Sequence, residues 1–314
     1  MSLSPPVLIS LTPLLTPTTH ILLDIWGVLH DGEAPYPGVL SALDELKSRG
    51  TKCTIISNSS KRKKATISQL TTLGFDTTMF SEIVTSGEVG WNYLAMVNGR
   101  EHDRKFLPAL SLPLTGPRDS PLTVCTFGNG ADDDEYVTTS GCVEGSLPDL
   151  LLARGTESVW LSPALIHRRQ DPAAWKSAVM ARLVSARARD VPMLVTNPDR
   201  ARPDAELSVM PGAIGDWYEE IGGTVVRVGK PEGEVFRIAM GDRGEGEARG
   251  EVVMVGDALE TDILGGNRVD GVTSCWCWGN GIHSAAIRAD GWESIVEGKG
   301  GIVPGVMVER FCFE

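Results

Sequence analysis

Residues 20–29, HILLDIWGVL, are apolar at successive positions, with Asp24 as the main break. A short run of this kind fits a strand buried on both faces, as in a parallel sheet. Pro37-Gly38 leads into a helical pattern with Val39, Leu43 and Leu46 on one face, closed by Gly50. KCTIIS (52–57) reads as a second strand, and the basic stretch Lys61–Lys64 opens a helix ending near Gly74. Strand–helix alternation predicts right-handed crossovers and an α/β fold with a parallel sheet.

The alternation returns near the end of the chain. Thr224–Val228, Glu251–Val255 and Ser274–Trp278 read as strands, Glu232–Met240 as a helix, and a further helix starts near Thr261. The Gly- and charge-rich segment 241–251 reads as a solvated loop. The middle differs. Residues 100–121 are rich in Pro and Leu without a clear period, whereas Val124–Phe127, Val159–Ser162 and Met193–Thr196 look like strands. Asp171-Pro172 is an N-cap followed by Pro at the first helical position, opening a helix through Trp175, Val179 and Leu183. The expected organisation is a core of residues 1–90 and 223–314, interrupted by a second domain at 91–222. A chain of 314 residues suits about two domains.

Composition narrows the partners. Hydrophobic residues are 42% and charged residues 22%, as in soluble globular chains, and the formal net charge is −12. Such a surface repels phosphate backbones and anionic lipid, so neither nucleic acid nor membrane is an expected partner. Residues 7–29 are apolar but broken by Pro13, Pro17 and Asp24, with no basic start or cleavage pattern. The expectation is a cytoplasmic protein. Six cysteines without a CxxC pair read as reduced, buried thiols, and five scattered histidines form no metal-binding pair. Trp160, Trp175, Trp217 and Trp278 are expected in the cores. Asp132-Asp133-Asp134-Glu135 reads as a solvated charged face.

Four predicted strands end in a polar group: Asp24, Ser57-Asn58, Lys230 and Asp257. In open parallel sheets, ligands bind outside the carboxyl ends of the strands, so these residues should converge on one crevice. Their types suit phosphoryl transfer. A carboxylate can attack phosphorus, paired carboxylates can hold Mg²⁺, and a hydroxyl with a lysine can hold the transferring oxygens. Neither a P-loop nor a GxGxxG follows a strand: Pro231 stands after Gly229-Lys230.

LLDIWGVLHDG (22–32), TIISNSS (54–60), VGKPEGEVF (228–236) and MVGDALETDILGG (254–266) resemble, in order and spacing, the haloacid dehalogenase (HAD) superfamily. TNPD (196–199) and PGAIGDWYEEIGG (211–223) resemble the late part of a class IIA cap. The resemblance spans nearly the whole chain. It implies a Rossmann-like HAD core with an inserted α/β cap of the C2 type. It implies Asp24 as nucleophile and metal ligand, Ser57 and Asn58 in the substrate loop, and Lys230 screening the phosphate. Asp257 and Asp262 then support Mg²⁺, and Asn197 with Asp199 face the crevice from the cap. The intact GDxxxxD favours phosphate over organohalide. A homodimer through the cap is a further expectation.

One position departs from the family pattern. Where its phosphatases carry a second Asp as general acid, this chain has Trp26. The metal would use only the backbone carbonyl there, and the indole could stack on a substrate. Indole cannot shuttle protons near neutral pH, and losing such help costs roughly 10²–10⁴-fold. His30 and Asp31 are the nearby candidates to replace it. Two readings follow: an Mg²⁺-dependent phosphatase of a small phosphorylated metabolite working through phospho-Asp24, or a phosphate-ligand-binding protein with little turnover. Without a donor, acyl and aryl phosphates should be favoured over alkyl esters.

Overall fold

The computed structural model describes residues 5–110, 112–114, 120–130, 132–161, 164–201, 209–241 and 251–313. The predicted loop at 241–251 falls almost wholly outside these residues. Two sheets carry the fold. Strands β1 (Val7–Leu8), β2 (His20–Leu23), β3 (Lys52–Ser57) and β4 (Phe80–Thr85) build the first with three late strands. Between them in sequence come β5 (Thr123–Gly128), β6 (Val143–Glu144), β7 (Leu150–Ala153), β8 (Ser158–Leu161), β9 (Ala164–His167), β10 (Met193–Val195) and β11 (Val225–Arg227). The late strands are β12 (Val252–Gly256), β13 (Val272–Cys277) and β14 (Val306–Val308).

The core sheet runs β1-β14-β13-β12-β2-β3-β4, and its pairings are parallel. The cap sheet runs β11-β10-β7-β5-β8-β9, with β6 beside β5. It is parallel except where β8 meets β5 and β9. The α/β fold expected from the strand–helix alternation is present. In the core sheet, β2 lies between β12 and β3, with Leu23 opposite Val255 and Ile55. The ends of these three neighbouring strands therefore present Asp24, Asp257 and Ser57 side by side.

Burial on both faces explains why the strands read as unbroken apolar runs. Ile21, Leu23, Ile55, Val253 and Val255 pack into one cluster with Leu43, Leu46 and Phe75. Leu22, Ile56, Val252 and Met254 face the other way. That second cluster continues through Val89 and Leu94 of helix 86–97 and Val235 and Phe236 of helix 233–240 into Val124, Leu150, Leu152 and Leu194 of the cap. Each such side chain contributes about 1.5–3 kcal/mol on burial, so the cap is seated on the core by a continuous apolar layer. A separate cap cluster holds Trp175, Val179 and Leu183 of helix 172–187, the helix expected behind Asp171-Pro172. The Asp171 side chain accepts from the Ala174 amide at 2.8 Å, as an N-cap should.

One strand belongs elsewhere than expected. Residues 224–228 read as a core strand, yet β11 pairs with β10, Val225 lying opposite Met193. The cap therefore keeps the chain through Arg227, and Val228–Lys230 makes the return to the core. A short apolar run does not specify its neighbour; the register with β10 does. The six cysteines are unbridged, five of them buried. No helix among the described residues is long and apolar enough to cross a membrane.

Candidate active site

Asp24 leaves the end of β2, its amide donating to the Val255 carbonyl at 2.9 Å. Its carboxylate receives a hydrogen bond from Lys230 Nζ at 2.6 Å, and the same ammonium lies 2.7 Å from Asp262 Oδ1. Asp24, Asp257 and Asp262 each offer a carboxylate oxygen within 4.8 Å of the others. All four side chains are buried.

Backbone donors hold the acids in place. Ile282 N–H donates to Asp257 Oδ2 at 2.7 Å, and Ala258 N–H to Asp262 Oδ2 at 3.0 Å. The indole N–H of Trp276 donates to the Asp257 carbonyl at 2.8 Å. Glycine makes room above them. Gly27 adopts φ +80°, and a Cβ there would fall 2.4 Å from Asp257 Oδ2, so only glycine lets the loop after Asp24 close over that carboxylate.

Burial raises the Asp257 carboxyl well above its usual range, and repulsion from Asp24 and Asp262 adds to this. Burial likewise pushes Asp262 up to about 6, against the pull of Lys230. Burial works against the Lys230 charge, but Asp24 and Asp262 outweigh it and raise its pKa. Three carboxylates against one ammonium leave a surplus of negative charge when all are ionised. That surplus, on oxygen donors alone, fits a hard divalent cation.

The substrate loop follows β3. Ser57 Oγ accepts from the Ser59 amide at 3.2 Å, which leaves the hydroxyl proton to donate elsewhere. Asn58 ties three segments together. Its Oδ1 accepts from the Lys230 amide at 2.7 Å, and its Nδ2 donates to the Lys230 carbonyl at 3.1 Å and to Asp199 Oδ1 at 2.8 Å. The cap thus reaches the crevice through Asp199. Asn197 Oδ1 accepts from the Asp199 amide at 3.1 Å, an Asx turn that orients the next residues.

The expected replacements for a general acid at Trp26 are placed differently. His30 Nδ1 accepts from the Gly32 amide at 2.8 Å, and its ring is buried 6.1 Å from Phe75, a core residue. Burial lowers its pKa despite the nearby Asp31 charge. The Asp31 carboxylate accepts from the Glu33 and Ala34 amides, each at 2.8 Å, and these bonds hold it ionised. Both side chains are engaged in shaping their own turn. Trp26 covers Gly32 and meets His30 edge-on at 5.8 Å, with 37% of its surface exposed.

The acidic run at 132–135 is also not a solvated face throughout. Asp133 and Asp132 pair with the guanidinium of the fully buried Arg154, which stacks 4.0 Å from the Tyr136 ring. Arg154 Nη2 donates to the Ser60 carbonyl at 3.3 Å, and Asn129 Nδ2 to Ser60 Oγ at 2.7 Å. This second cap contact on the substrate loop carries no short-range signal, because Arg154 lies 22 residues from Asp132. A cavity of about 350 Å³, lined by Leu110, Val226, Gly229 and Glu234, lies at the return from cap to core and includes none of Asp24, Asp257 and Asp262.

Residues 21–110 match the family of haloacid dehalogenase-like hydrolases, and residues 227–287 match a second HAD-hydrolase-like family. The two segments carry Asp24, Ser57, Asn58, Lys230, Asp257 and Asp262. The matching segments flank the cap, so the core carries the sequence of HAD-like hydrolases, with the cap inserted between its two halves. No curated protein sequence matches it. Solved structures share the fold across nearly the whole chain. A haloacid dehalogenase-like hydrolase from Brucella suis is 20% identical, with TM-score 0.66, covering 96% of this chain and 99% of that one. A "possible sugar phosphatase" of the HAD superfamily from Cytophaga hutchinsonii is 22% identical, with TM-score 0.69 and coverages of 98% and 99%. A p-nitrophenyl phosphatase from Archaeoglobus fulgidus is 18% identical, with TM-score 0.64 and coverages of 93% and 96%.

Proposed function

We propose that the protein is an Mg²⁺-dependent phosphatase of a small phosphorylated metabolite. The observation that carries this reading is the buried cluster at the strand ends, in which Lys230 bridges Asp24 and Asp262 beside Asp257. Asp24 attacks phosphorus and displaces the alcohol, and water then hydrolyses the aspartyl phosphate. Lys230 and the Ser57 hydroxyl hold the equatorial oxygens, where charge gathers in the transition state. Asp24, Asp257 and the backbone carbonyl of Trp26 would hold Mg²⁺, with Asp262 supporting the site. When bound, the ion would neutralise charge on the phosphoryl oxygens.

A second reading, a phosphate-ligand-binding protein with little turnover, rests on Trp26 at the usual general-acid position. A panel of phosphorylated metabolites, assayed with and without Mg²⁺ beside Asp24→Asn, separates the two. The phosphatase reading expects Mg²⁺-dependent phosphate release that Asp24→Asn abolishes. Ligand binding without release, in wild type and variant alike, would establish the second reading.

A further inference from the structure

Trp26 leaves the leaving-group oxygen without its usual proton donor; the Asp31 carboxylate and His30 Nδ1 are taken up by their own turn, and His30 Nε2 is buried out of reach of solvent. Among the described residues, the cap brings the acid Asp199 against the substrate loop. Asp199 follows β10 in the TNPD turn, and its Oδ1 accepts from Asn58, which itself clasps both backbone groups of Lys230. Close packing fixes this turn. A Cβ on Gly229, next to Lys230, would fall 2.9 Å from the Pro198 ring, and one on Gly212 would fall 2.6 Å from the Asp199 carbonyl. We propose that Asp199 is the general acid of this enzyme, donating from the cap the proton that Trp26 cannot.

The inference rests on the phosphatase reading above. In the first step a P–O bond forms to Asp24 as the ester P–O bond breaks, and the Asp199 proton passes to the departing oxygen, which leaves as the alcohol. In the second step water attacks phosphorus and returns a proton to the Asp199 carboxylate, while Asp24 leaves as a carboxylate. Among the described residues Asn58 takes Oδ1, and Oδ2 would carry the proton. The environment suits a donor: burial raises the Asp199 carboxyl pKa against the Asn58 hydrogen bond and the Lys230 charge, with the Asp262 and Glu260 charges adding to the rise. The cap would thus supply a catalytic group as well as a cover.

The test is kcat/KM for phosphate monoesters graded from 2,4-dinitrophenyl phosphate to glycerol phosphate, in wild type, Asp199→Asn and Asp199→Glu. The expected wild-type dependence on leaving-group pKa is shallow. Asp199→Asn should lose about 10²-fold or more on glycerol phosphate and less than about tenfold on the dinitrophenyl ester. Asp199→Glu should recover part of the alkyl activity. An equal loss across the series would show that Asp199 only anchors the turn, and would overturn the inference while leaving the phosphatase reading intact. Wild-type hydrolysis of neither ester overturns both. Should the variants melt far below wild type, the wild-type series decides: a steep dependence on leaving-group pKa overturns the proposal, and a shallow one supports it.

Discussion

Lys230 Nζ lies 2.6 Å from Asp24 Oδ1, although the two residues are 206 positions apart in the chain. The pair is buried, and the ammonium also offsets Asp262. Lys230→Met should therefore damage both stability and turnover. Removing one partner of a buried ion pair costs about 3–5 kcal/mol, and losing an electrostatic stabiliser of the transition state costs roughly 10²–10³-fold in kcat. Thermal melts and phosphatase assays on the same preparation read both. A variant with unchanged melting and kcat would remove Lys230 from the site.

Asp257 adds a third carboxylate to a pocket with one ammonium. Asp257→Asn should raise the melting temperature in chelator, because it removes a like charge from the cluster. It should also weaken Mg²⁺ binding by more than about tenfold, since even outer partners of a metal site cost that much. Calorimetric titration with Mg²⁺ checks the second point; equal affinity in wild type and variant would contradict it.

Arg154 is fully buried, and its charge is met by Asp132 and Asp133. Asp133→Asn should cost roughly 3–5 kcal/mol, because it strips a buried charge of a partner. It should also raise KM more than it lowers kcat, since Arg154 touches the Ser60 carbonyl and none of the acids at the strand ends. Denaturant titration with Michaelis kinetics reads both effects; stability within experimental error of wild type would return the acidic run to a solvated face.

Glu88 ties helix 86–97 to the segment after the substrate loop. Arg62 donates to it twice, at 2.8 Å each, and the Lys63 amide once at 3.0 Å. Burial would raise the Glu88 carboxyl, but these bonds win and hold it below its ordinary value of 4.5. A lowered folded pKa gives stability that is present above 4.5 and lost as the pH falls through the folded value. Melting-temperature differences between wild type and Glu88→Gln should be largest at neutral pH and shrink in acid. A gap that widens in acid would reverse the assignment.

Much of this site is legible in the sequence, for a physical reason. Asp24, Ser57 and Asp257 each end a run whose side chains are buried on both faces of the core sheet. Such runs are unbroken in the sequence, and their polar ends stand out. What depends on a distant partner does not stand out. β11 joins the cap because β10 is beside it, and Asp133 is drawn inward by an arginine just past the end of β7. His30 looks like a proton shuttle until its ring is seen buried against Phe75 of the core. Asp199 is legible through the resemblance of TNPD to a cap segment facing the crevice, but its partner Asn58, 141 positions away, is not.

The central claim is that Asp24 is the nucleophile, and trapping the phosphorylated enzyme tests it most directly. The protein would be mixed with an activated aryl phosphate and Mg²⁺, quenched in acid, digested, and read by mass spectrometry. The account predicts a phosphoryl group on Asp24 in the peptide that contains residues 22–32, and none in Asp24→Asn. Steady hydrolysis with no adduct, surviving in Asp24→Asn, would contradict it.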